Sequence, residues 1–485
     1  MSVMKLKSIL LAGAVACALT LGVRAEQPAA AAEAGERTRY EANWESLDKR
    51  PIQQWFKDAK FGIIIHWGPY SVPAFAPADK EGIFWRYSEQ YQGHLQLLKN
   101  GKEFQKYHKE KFHDAPYANF AAAFKAENYN PAEWADLFRR AGAKYAMLTA
   151  KHHDGFTLWP SPNTPYYNAV AMGPGRDLAD EFIGAMRGAG LKCGFYFSVK
   201  EFLNPRYREA LRRKTLPQWS EEVNFPQMKD LVERYKIDIF CPDGEWDDPD
   251  VCWKSVEFLQ WLYNESSVRD SIVVGDRWGK GCRGRHGGYW TCEYAIEGLN
   301  RDAIKHGMPQ EHPWEEWRAL GWSFGWNKFE QSRHYMTESQ CIERLVWCVS
   351  GGGNLMLDVG PTDDGRIPVI MQDRLLAMGR WLDVNGEAIY GSRIWWTKDY
   401  ESAKANRLYF TRKGETVYAI TFRWPDAARP ITMHDVGKVK NVTLVGAPDA
   451  KVDWREEGGT LTFSAPPLAP DRLPCQHAWT FKVER

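Results

Sequence analysis

The sequence has no excess of charge of either sign. Its 485 residues include 63 Lys and Arg against 62 Asp and Glu, which gives a formal net charge of +1. Proteins dedicated to nucleic acids or to anionic membrane surfaces usually carry a strongly basic face. The balanced charge argues against these classes, and we predict no nucleic-acid partner.

Several short motifs of common enzyme classes are also missing. No G-x-G-x-x-G follows the first predicted strand, which disfavours a dinucleotide-binding fold. The sequence contains no H-E-x-x-H zinc motif. His152 and His153 are adjacent, so they would point to opposite faces of a continuing strand and could not easily bind one ion. We therefore predict no metal site and no cofactor.

A long apolar run occurs at the N-terminus. Ile9 to Val23 follows two lysines and ends in the small-x-small sequence Val23-Arg24-Ala25. The run is shorter than the ~20 residues that a membrane-spanning helix requires, although an anchor is the alternative interpretation. We predict a signal peptide at residues 1–25 and a disordered tether at 26–39. The mature protein would then be secreted, periplasmic or lysosomal, with no membrane partner.

Cysteines are few and scattered. The chain has nine, of which Cys17 lies in the predicted leader, and none forms a C-x-x-C motif. This spacing is not that of a small disulfide scaffold. Cys282 and Cys292 bracket a short loop and are the best candidate pair, with buried free thiols as the alternative for the others.

Aromatic residues are abundant, with 23 Trp, 21 Tyr and 23 Phe making up 14% of the chain. Such a number of rings suggests a site that binds a ligand with both apolar faces and hydroxyl groups. Many tryptophans follow predicted strands, beside His, Asp or Arg. We predict that these residues line the wall of a pocket: Trp67, Trp159, Trp246, Trp278, Trp290 and Trp326.

Short β-type runs alternate with helical patterns from about residue 60 to residue 360. Phe61 to Ile65 is apolar throughout, as expected of a strand buried on both faces. So many βα units in succession predict a (β/α)8-like barrel at residues 40–391 rather than an open sheet. From residue 392 to 485 the pattern changes to strands and turns, including a hairpin signal at Lys413-Gly414-Glu415. We predict a C-terminal all-β sandwich there.

Polar residues recur directly after the predicted strands. In barrels, the carboxyl ends of the strands form the rim on which active sites are built. Any one of these residues could be a satisfied loop residue, but their recurrence predicts a shared site. Two of them, Asp243 and Glu293, are carboxylates, which suits glycoside hydrolysis by a nucleophile and a proton donor. The recurring residues are His66, His152, His153, Asp154, Asp243, Asp276, Arg277 and Glu293.

Longer motifs carry a family resemblance that extends from about residue 40 to the C-terminus. They resemble the α-L-fucosidases of glycoside hydrolase family 29, in particular the branch of the animal tissue enzymes. The motifs are Lys60-Phe61-Gly62 through His66-Trp67-Gly68, Trp134 through Tyr145, Lys151-His152-His153-Asp154-Gly155-Phe156, Asp243-Gly244-Glu245-Trp246, Asp276-Arg277-Trp278 and Gly353 through Pro361.

The resemblance implies a retaining exo-α-L-fucosidase that acts on fucosylated oligosaccharides or glycoconjugates. It implies that Asp243 is the nucleophile and Glu293 the acid/base residue, with Glu315 as an alternative acid. A homo-oligomer is possible. The alternatives are a catalytically weak fucose-binding protein and a glycosidase for a related sugar such as L-galactose. The resemblance further implies sugar-hydroxyl contacts from His66, His152, His153 and Arg277, and aromatic walls from Trp246 and Phe324.

The sequence departs from the family pattern near residue 84. The usual Glu-Trp pair is replaced by an insertion from Ala76 to Arg86, in which Phe84-Trp85-Arg86 stands at the expected position. Glu81 or Glu89 could supply the missing carboxylate. One substrate-hydroxyl contact therefore stays open at the sequence level.

Overall fold

The computed structural model describes residues 38–80, 83–96, 101–294, 312–395, 397, 403 and 405–485. The predicted signal peptide and most of the predicted tether lie outside these residues. Contacts group residues 40–485 into one compact unit. No helix in the described part is both long and apolar enough to cross a membrane.

Eight parallel strands form one sheet in the order β5-β4-β3-β2-β1-β8-β7-β6. The sheet closes on itself, because Gly275 and Tyr289 form a parallel bridge between the two edge strands, and Tyr289 donates its backbone N–H to Val274 at 3.0 Å. The predicted (β/α)8-like barrel is thus confirmed. The strands are β1 Phe61–Ile65, β2 Tyr145–Lys151, β3 Lys192–Ser198, β4 Ile239–Asp243, β5 Val273–Val274, β6 Trp290–Glu293, β7 Trp314–Ala319 and β8 Asn354–Val359.

Helices cover the outside of the sheet, and the signals in the sequence explain where they begin. Before α6, for example, Asn130 caps the helix through the backbone N–H groups of Ala132 and Glu133, and Pro131 fixes the first turn. The helices are α1 Trp44–Leu47, α2 Gln54–Ala59, α3 Tyr91–Gln96, α4 Lys102–Phe112, α5 Asn119–Ala123, α6 Pro131–Arg140, α7 Leu178–Gly188, α8 Pro205–Arg213, α9 Leu216–Trp219, α10 Phe225–Tyr235, α11 Asp250–Trp253, α12 Ser255–Asn264, α13 Glu338–Ser350 and α14 Val369–Asn385.

The strand β7 was not predicted, because its sequence WEEWRA carries three charges. Its side chains alternate between the two faces of the sheet. Glu315 faces the barrel interior, where Trp317 donates to it, whereas Glu316 faces the helices and pairs with Arg344 and Arg318. A run of apolar residues usually marks a buried strand. In β7, two carboxylates that find partners on opposite faces of the sheet stand in place of that run.

The apolar pattern from Cys252 to Tyr263 predicts one helix, but the structure has two helices in this region. Lys254 adopts a left-handed backbone conformation with φ of 56° and separates α11 from α12. The predicted disulfide between Cys282 and Cys292 is also wrong, since Cys282 is a buried free thiol. The Cys292 thiol instead donates to the Glu315 carbonyl across the sheet.

The C-terminal residues form two antiparallel sheets that enclose a separate apolar core, as the sequence predicted. The hairpin at Lys413-Gly414-Glu415 joins β10 to β11, and Lys413 pairs with Thr416. The strands are β9 Arg393–Ile394, β10 Leu408–Lys413, β11 Thr416–Thr421, β12 Ile431–Met433, β13 Asn441–Leu444, β14 Asp453–Glu457, β15 Thr460–Ser464 and β16 Trp479–Glu484. The domain boundaries at 391 and 392 stay predictions.

Candidate active site

The predicted polar residues meet at the carboxyl end of the barrel. His66 directly follows β1, and His152 and His153 follow β2. Asp243 is the last residue of β4, and Glu293 is the last residue of β6. This shared position follows from parallel strands, whose carboxyl ends all lie at one rim of a barrel.

Asp243 is buried and surrounded by donors on both carboxylate oxygens. Oδ1 accepts from Arg277 at 2.7 Å and from Arg283 at 3.2 Å, and Oδ2 accepts from the Tyr196 hydroxyl at 2.6 Å. Burial alone would raise the pKa of Asp243, but the charges of Arg277 and Arg283 outweigh it and hold the pKa well below its usual range. Asp243 is therefore ionised at neutral pH.

Glu293 lies opposite Asp243 across one guanidinium group. The Nη1 nitrogen of Arg277 is 2.7 Å from Oδ1 of Asp243 and 2.7 Å from Oε1 of Glu293, so these two oxygens are at most 5.4 Å apart. The Glu293 side chain is 29% exposed, compared with 8% for Asp243. Of the two carboxylates, Glu293 is the one that opens toward solvent.

Arg277 is held rigidly between the strands. Its Nε donates to the Thr291 hydroxyl at 2.9 Å, and its guanidinium stacks over the Trp317 ring at 4.0 Å from the ring centre. Asp276 fixes Thr291 in turn by accepting from its hydroxyl at 2.7 Å. The Nη2 atom of Arg277 is buried and has no hydrogen-bond partner among the described residues. One donor of a fixed fork is thus left for a bound molecule.

Three buried histidines form one wall of the site. Nδ1 of His66 is 2.7 Å from Asp358, and Nδ1 of His153 is 2.6 Å from the Ser198 hydroxyl. Burial lowers the pKa of His66 and of His153 well below the usual value, and lowers that of His152 to about 4. All three are neutral at pH 7, so each ring has one nitrogen that donates a hydrogen bond and one that accepts.

The expectation that His152 and His153 point to opposite faces does not hold. The strand β2 ends at Lys151, and the two rings lie 4.2 Å apart. His152 stacks on Tyr196, and Nε2 of His153 is 3.7 Å from Asp243. Both rings face the same site because a turn, not a strand, follows Lys151. In the described residues, no group of three His, Cys, Asp or Glu side chains forms a metal site.

Two of the predicted aromatic residues lie at this site. Phe324 is buried and packs against the His66 ring with 5.0 Å between ring centres. Trp246 lies at the mouth, where 40% of the residue is exposed and its ring meets His153 edge-on at 5.0 Å. Phe324 thus lies beside His66 on the buried side of the site, and Trp246 lies beside His153 on its exposed side.

The prediction that the other tryptophans form the pocket wall is wrong for three of them. Trp67, Trp159 and Trp278 are almost fully buried in the core between the sheet and its helices. Trp67, for example, packs on Phe124 and Trp134. They follow strands in sequence, but their side chains point away from the barrel axis, which sequence position alone does not reveal.

Glu315, the alternative acid, lies deeper in the barrel than the rim. Its carboxylate accepts from the Tyr145 hydroxyl and, at 2.6 Å, from Trp317. Tyr145 is the first residue of β2, so this level of the barrel belongs to the amino ends of the strands. The Trp317 ring under Arg277 separates Glu315 from the rim. The geometry therefore favours Glu293 over Glu315 as the partner of Asp243.

Sequence reasoning missed Arg283, Glu245 and Tyr196. Arg283 lies in the loop after β5 and donates to Glu245 at 2.6 Å and to Asp243 at 3.2 Å. Arg283 and Arg285 are two arginines on one loop, and no local signal distinguishes them. The pattern Asp243-Gly244-Glu245 does hold a clue, because a second carboxylate two residues after a candidate nucleophile implies a cation nearby.

The structure describes one of the two candidates for the missing carboxylate, Glu89. Glu89 is buried behind Phe324 and accepts from the backbone N–H of Gly325 at 2.8 Å. Burial raises the pKa of Glu89 to about 8. Glu81 and the side chain of Phe84 lie outside the described part of the chain. A contact of Glu89 with a ligand stays a prediction.

A pair of close carboxylates on the rim of a (β/α)8-like barrel, among neutral histidines and aromatic rings, defines a glycoside hydrolase. The sequence profile described as "Alpha-L-fucosidase" matches residues 28–387, and the profile described as "Alpha-L-fucosidase C-terminal domain" matches residues 401–484. The chain belongs to the α-L-fucosidase family.

Known proteins resemble the chain over nearly its whole length. It is 39% identical to the tissue α-L-fucosidase of Homo sapiens, over 92% of this chain and 92% of that protein. It is 39% identical to the tissue α-L-fucosidase of Bos taurus, over 92% and 91%. Its fold is similar to that of the Thermotoga maritima α-fucosidase in complex with a mechanism-based inhibitor, with a TM-score of 0.75, 32% identity, and coverage of 92% of this chain and all of that one. As a family member, the chain acts on α-L-fucosides.

Proposed function

We propose that the protein is a retaining exo-α-L-fucosidase that removes terminal α-L-fucose through a covalent fucosyl-enzyme. The observation that carries this proposal is that one nitrogen of Arg277 contacts both carboxyl groups, which places Oδ1 of Asp243 and Oε1 of Glu293 at most 5.4 Å apart. Retaining glycosidases hold their two carboxyl groups about 5–5.5 Å apart, whereas inverting enzymes need about 6.5–9.5 Å to fit a water molecule.

In the first step, the ionised Asp243 attacks C1 of fucose and forms an ester bond. The bond between C1 and the glycosidic oxygen breaks, and that oxygen takes a proton from Glu293. The greater exposure of Glu293 supports this role, because the leaving group is on the solvent side of the sugar. The low pKa of Asp243 supports its role as nucleophile, since the carboxylate needs no deprotonation at neutral pH.

In the second step, Glu293 takes a proton from water, and the water oxygen attacks C1. The ester bond breaks with its electron pair remaining on Asp243. Two inversions at C1 leave fucose in its original anomeric configuration. Each carboxylate thus returns to its starting state.

Neutral imidazoles and a guanidinium suit the hydroxyl groups of an uncharged sugar. We assign sugar-hydroxyl contacts to His66, His152, His153 and Arg277. His152, His153 and Arg277 each have a buried nitrogen that finds no partner in the described part of the chain. These nitrogens support the assignment, because an unsatisfied buried polar group is costly until a ligand occupies it. Phe324 and Trp246 would contact the apolar face and the methyl group of the 6-deoxy sugar.

The substrates we propose are fucosylated oligosaccharides and glycoconjugates with terminal α-L-fucose. An export signal at residues 1–25 would bring the enzyme to such glycans outside the cytoplasm. The near-neutral charge of the chain fits substrates that carry no high charge.

The decisive test uses azide with two variants. In Asp243→Gly, azide replaces the missing carboxylate and attacks C1 once, so an activated aryl α-L-fucoside should give β-L-fucosyl azide. In Glu293→Ala, Asp243 still forms the ester and azide then attacks it, so the product should be α-L-fucosyl azide. NMR of the products distinguishes the two anomers. The exposed Asp247 supplies a control, and Asp247→Ala should keep turnover and form no azide adduct. The same anomer from both Asp243→Gly and Glu293→Ala would contradict the assignment.

A further inference from the structure

We infer that Arg283 is a positioning residue for the second half of the reaction, in which it stabilises the carboxylate of Asp243 as the ester breaks. This inference rests on the proposed function. Arg283 carries the second guanidinium on the same oxygen, Oδ1 of Asp243, at 3.2 Å. Nothing in the known pattern of motifs singles out this residue.

The Arg283 side chain is held in place from behind. Its Nε donates to Oε1 of Glu245 at 2.6 Å, and its Nη2 lies 3.4 Å from Oε2 of the same residue. The Glu245 side chain is only 3% exposed. Gly244, with φ of 91°, turns the backbone between Asp243 and Glu245 in a conformation that favours glycine. A buried carboxylate therefore fixes the fork of Arg283.

The loop that carries Arg283 is anchored as well. The backbone N–H of Gly284 donates to Oδ2 of Asp276 at 2.7 Å, and Asp276 also orders Thr291 under Arg277. The buried Asp276 therefore helps to position both arginines, Arg283 through the backbone of Gly284 and Arg277 through Thr291. Arg277 is fully buried, whereas 25% of the Arg283 side chain remains exposed. Arg283 therefore lies on the solvent side of the Asp243 carboxylate, outside the barrel core.

The charge balance of each step indicates where Arg283 acts. Attack on C1 converts the charged Asp243 carboxylate to a neutral ester, so guanidinium groups on Oδ1 stabilise the starting state of that step. Hydrolysis breaks the bond between C1 and the Asp243 oxygen and returns the negative charge to Asp243. A fixed cation at 3.2 Å favours the transition state of this second step, in which that charge develops.

Removal of Arg283 should therefore lower kcat much more than it lowers kcat/KM. With a dinitrophenyl α-L-fucoside, whose leaving group needs little protonation, kcat/KM reports ester formation and kcat reports ester hydrolysis. In Arg283→Gln, we expect kcat and KM to fall together by about 10- to 100-fold, the effect of one hydrogen bond to a charged group, while kcat/KM stays within a few-fold. The fucosyl-enzyme should accumulate, visible as a burst of dinitrophenol and as an added fucosyl mass.

Three further variants make the test specific. Arg283→Lys keeps the charge and should recover most of kcat. Glu245→Gln leaves Arg283 unanchored and should shift kcat and KM in the same direction, by less. Arg285→Gln removes an exposed arginine two residues away and should behave as the wild type.

A fall in kcat/KM with an unchanged or raised KM and no burst would overturn the inference. So would equal effects of Arg283→Gln and Arg285→Gln. Failure of the proposed function has a different signature, namely a fucosyl adduct on a residue other than Asp243, or an inverted first product from the wild type.

Discussion

The barrel interior holds buried carboxylates at two levels, and they are in opposite states. At the rim, Asp243 faces two guanidinium groups, and its pKa is held well below the usual range. Deeper in the barrel, Glu315 receives hydrogen bonds from the neutral Tyr145 and Trp317, and burial raises its pKa to about 7. Both residues are buried, with 6% of Asp243 and none of Glu315 exposed. The difference shows that cationic partners, not burial, decide which of the two buried carboxyl groups is ionised.

Trp317 separates the two levels. Its ring supports the guanidinium of Arg277 on one side, while its indole N–H donates to Glu315. The charged residues at the rim therefore lie above a layer of neutral side chains, which we call the floor and which consists of Tyr145, Glu315 and Trp317. Three predictions test this division, beginning with the largest effect.

Replacing each carboxyl group by an amide should have contrasting consequences at the two levels. Asp243→Asn should lower kcat by at least about 10⁴-fold, because an amide cannot form the ester. Glu315→Gln should lower kcat by less than about tenfold, because Glu315 acts only through packing under Trp317. Steady-state kinetics with an aryl α-L-fucoside measure both. Similar losses in the two variants would abolish the distinction between rim and floor.

Removing the positive charge of Arg277 should raise the pKa of Asp243 at the rim toward that of Glu315 in the floor. In Arg277→Met, Asp243 loses its closest positive charge, so its pKa rises and more of it is protonated at low pH. We expect kcat/KM to fall by about 10²- to 10³-fold, as on loss of one preorganised charge contact, and its acid limb to move to higher pH. Arg277→Lys should be intermediate, since lysine gives a point charge without the fork.

Arg344 supplies the control for this experiment, since it is a mostly buried arginine that pairs with Glu316 on the outer face of β7. Arg344→Met should lower the melting temperature and leave the acid limb of kcat/KM where it is. An acid limb that stays in place in Arg277→Met would mean that Arg277 does not keep Asp243 ionised.

The smallest predicted effect is a change in the pH dependence of stability. Glu315 keeps its proton up to a pKa of about 7 in the folded chain, whereas the unfolded chain releases it near the ordinary glutamate pKa of 4.5. Stability should therefore fall as pH rises from about 4.5 to 7, because the unfolded state ionises first. Glu315→Gln cannot ionise, so its melting temperature should rise relative to the wild type across this window and stay level above it.

The relative slope, not the absolute melting temperature, is the measure in this experiment, since an amide also alters the hydrogen bonds to Tyr145 and Trp317. Glu45→Gln changes a carboxylate whose side chain is 90% exposed and should leave the slope unchanged. An unchanged slope in Glu315→Gln would show that Glu315 is already ionised in the folded protein.

Much of the fold was accessible from the sequence because most of its strands are apolar on both faces. Phe61–Ile65 is an example, and the alternation of such runs with capped helices predicted the barrel. The strand β7 escaped detection because Glu315 and Glu316 find partners on opposite faces. Pairings of this kind join distant residues and leave no local pattern.

The sequence predicts those site residues that lie at the carboxyl ends of strands. Asp243, Glu293, Arg277 and the histidines all follow from their positions after strands. Arg283 did not, because its role depends on how one loop folds back to Glu245. The tryptophans show the opposite error, since Trp67 and Trp159 follow strands and yet point into the outer core.

The most direct measurement is a trapping experiment on Asp243. An α-configured 2-deoxy-2-fluoro-L-fucoside with a good leaving group slows both steps but favours the first, so the ester should persist. Mass spectrometry of the digested protein should find one fluorofucosyl group on the peptide that contains Asp243, and none in Asp243→Asn. A label on Glu293 or Glu315, or rapid inactivation without any covalent label, would contradict the assignment of Asp243 as the nucleophile.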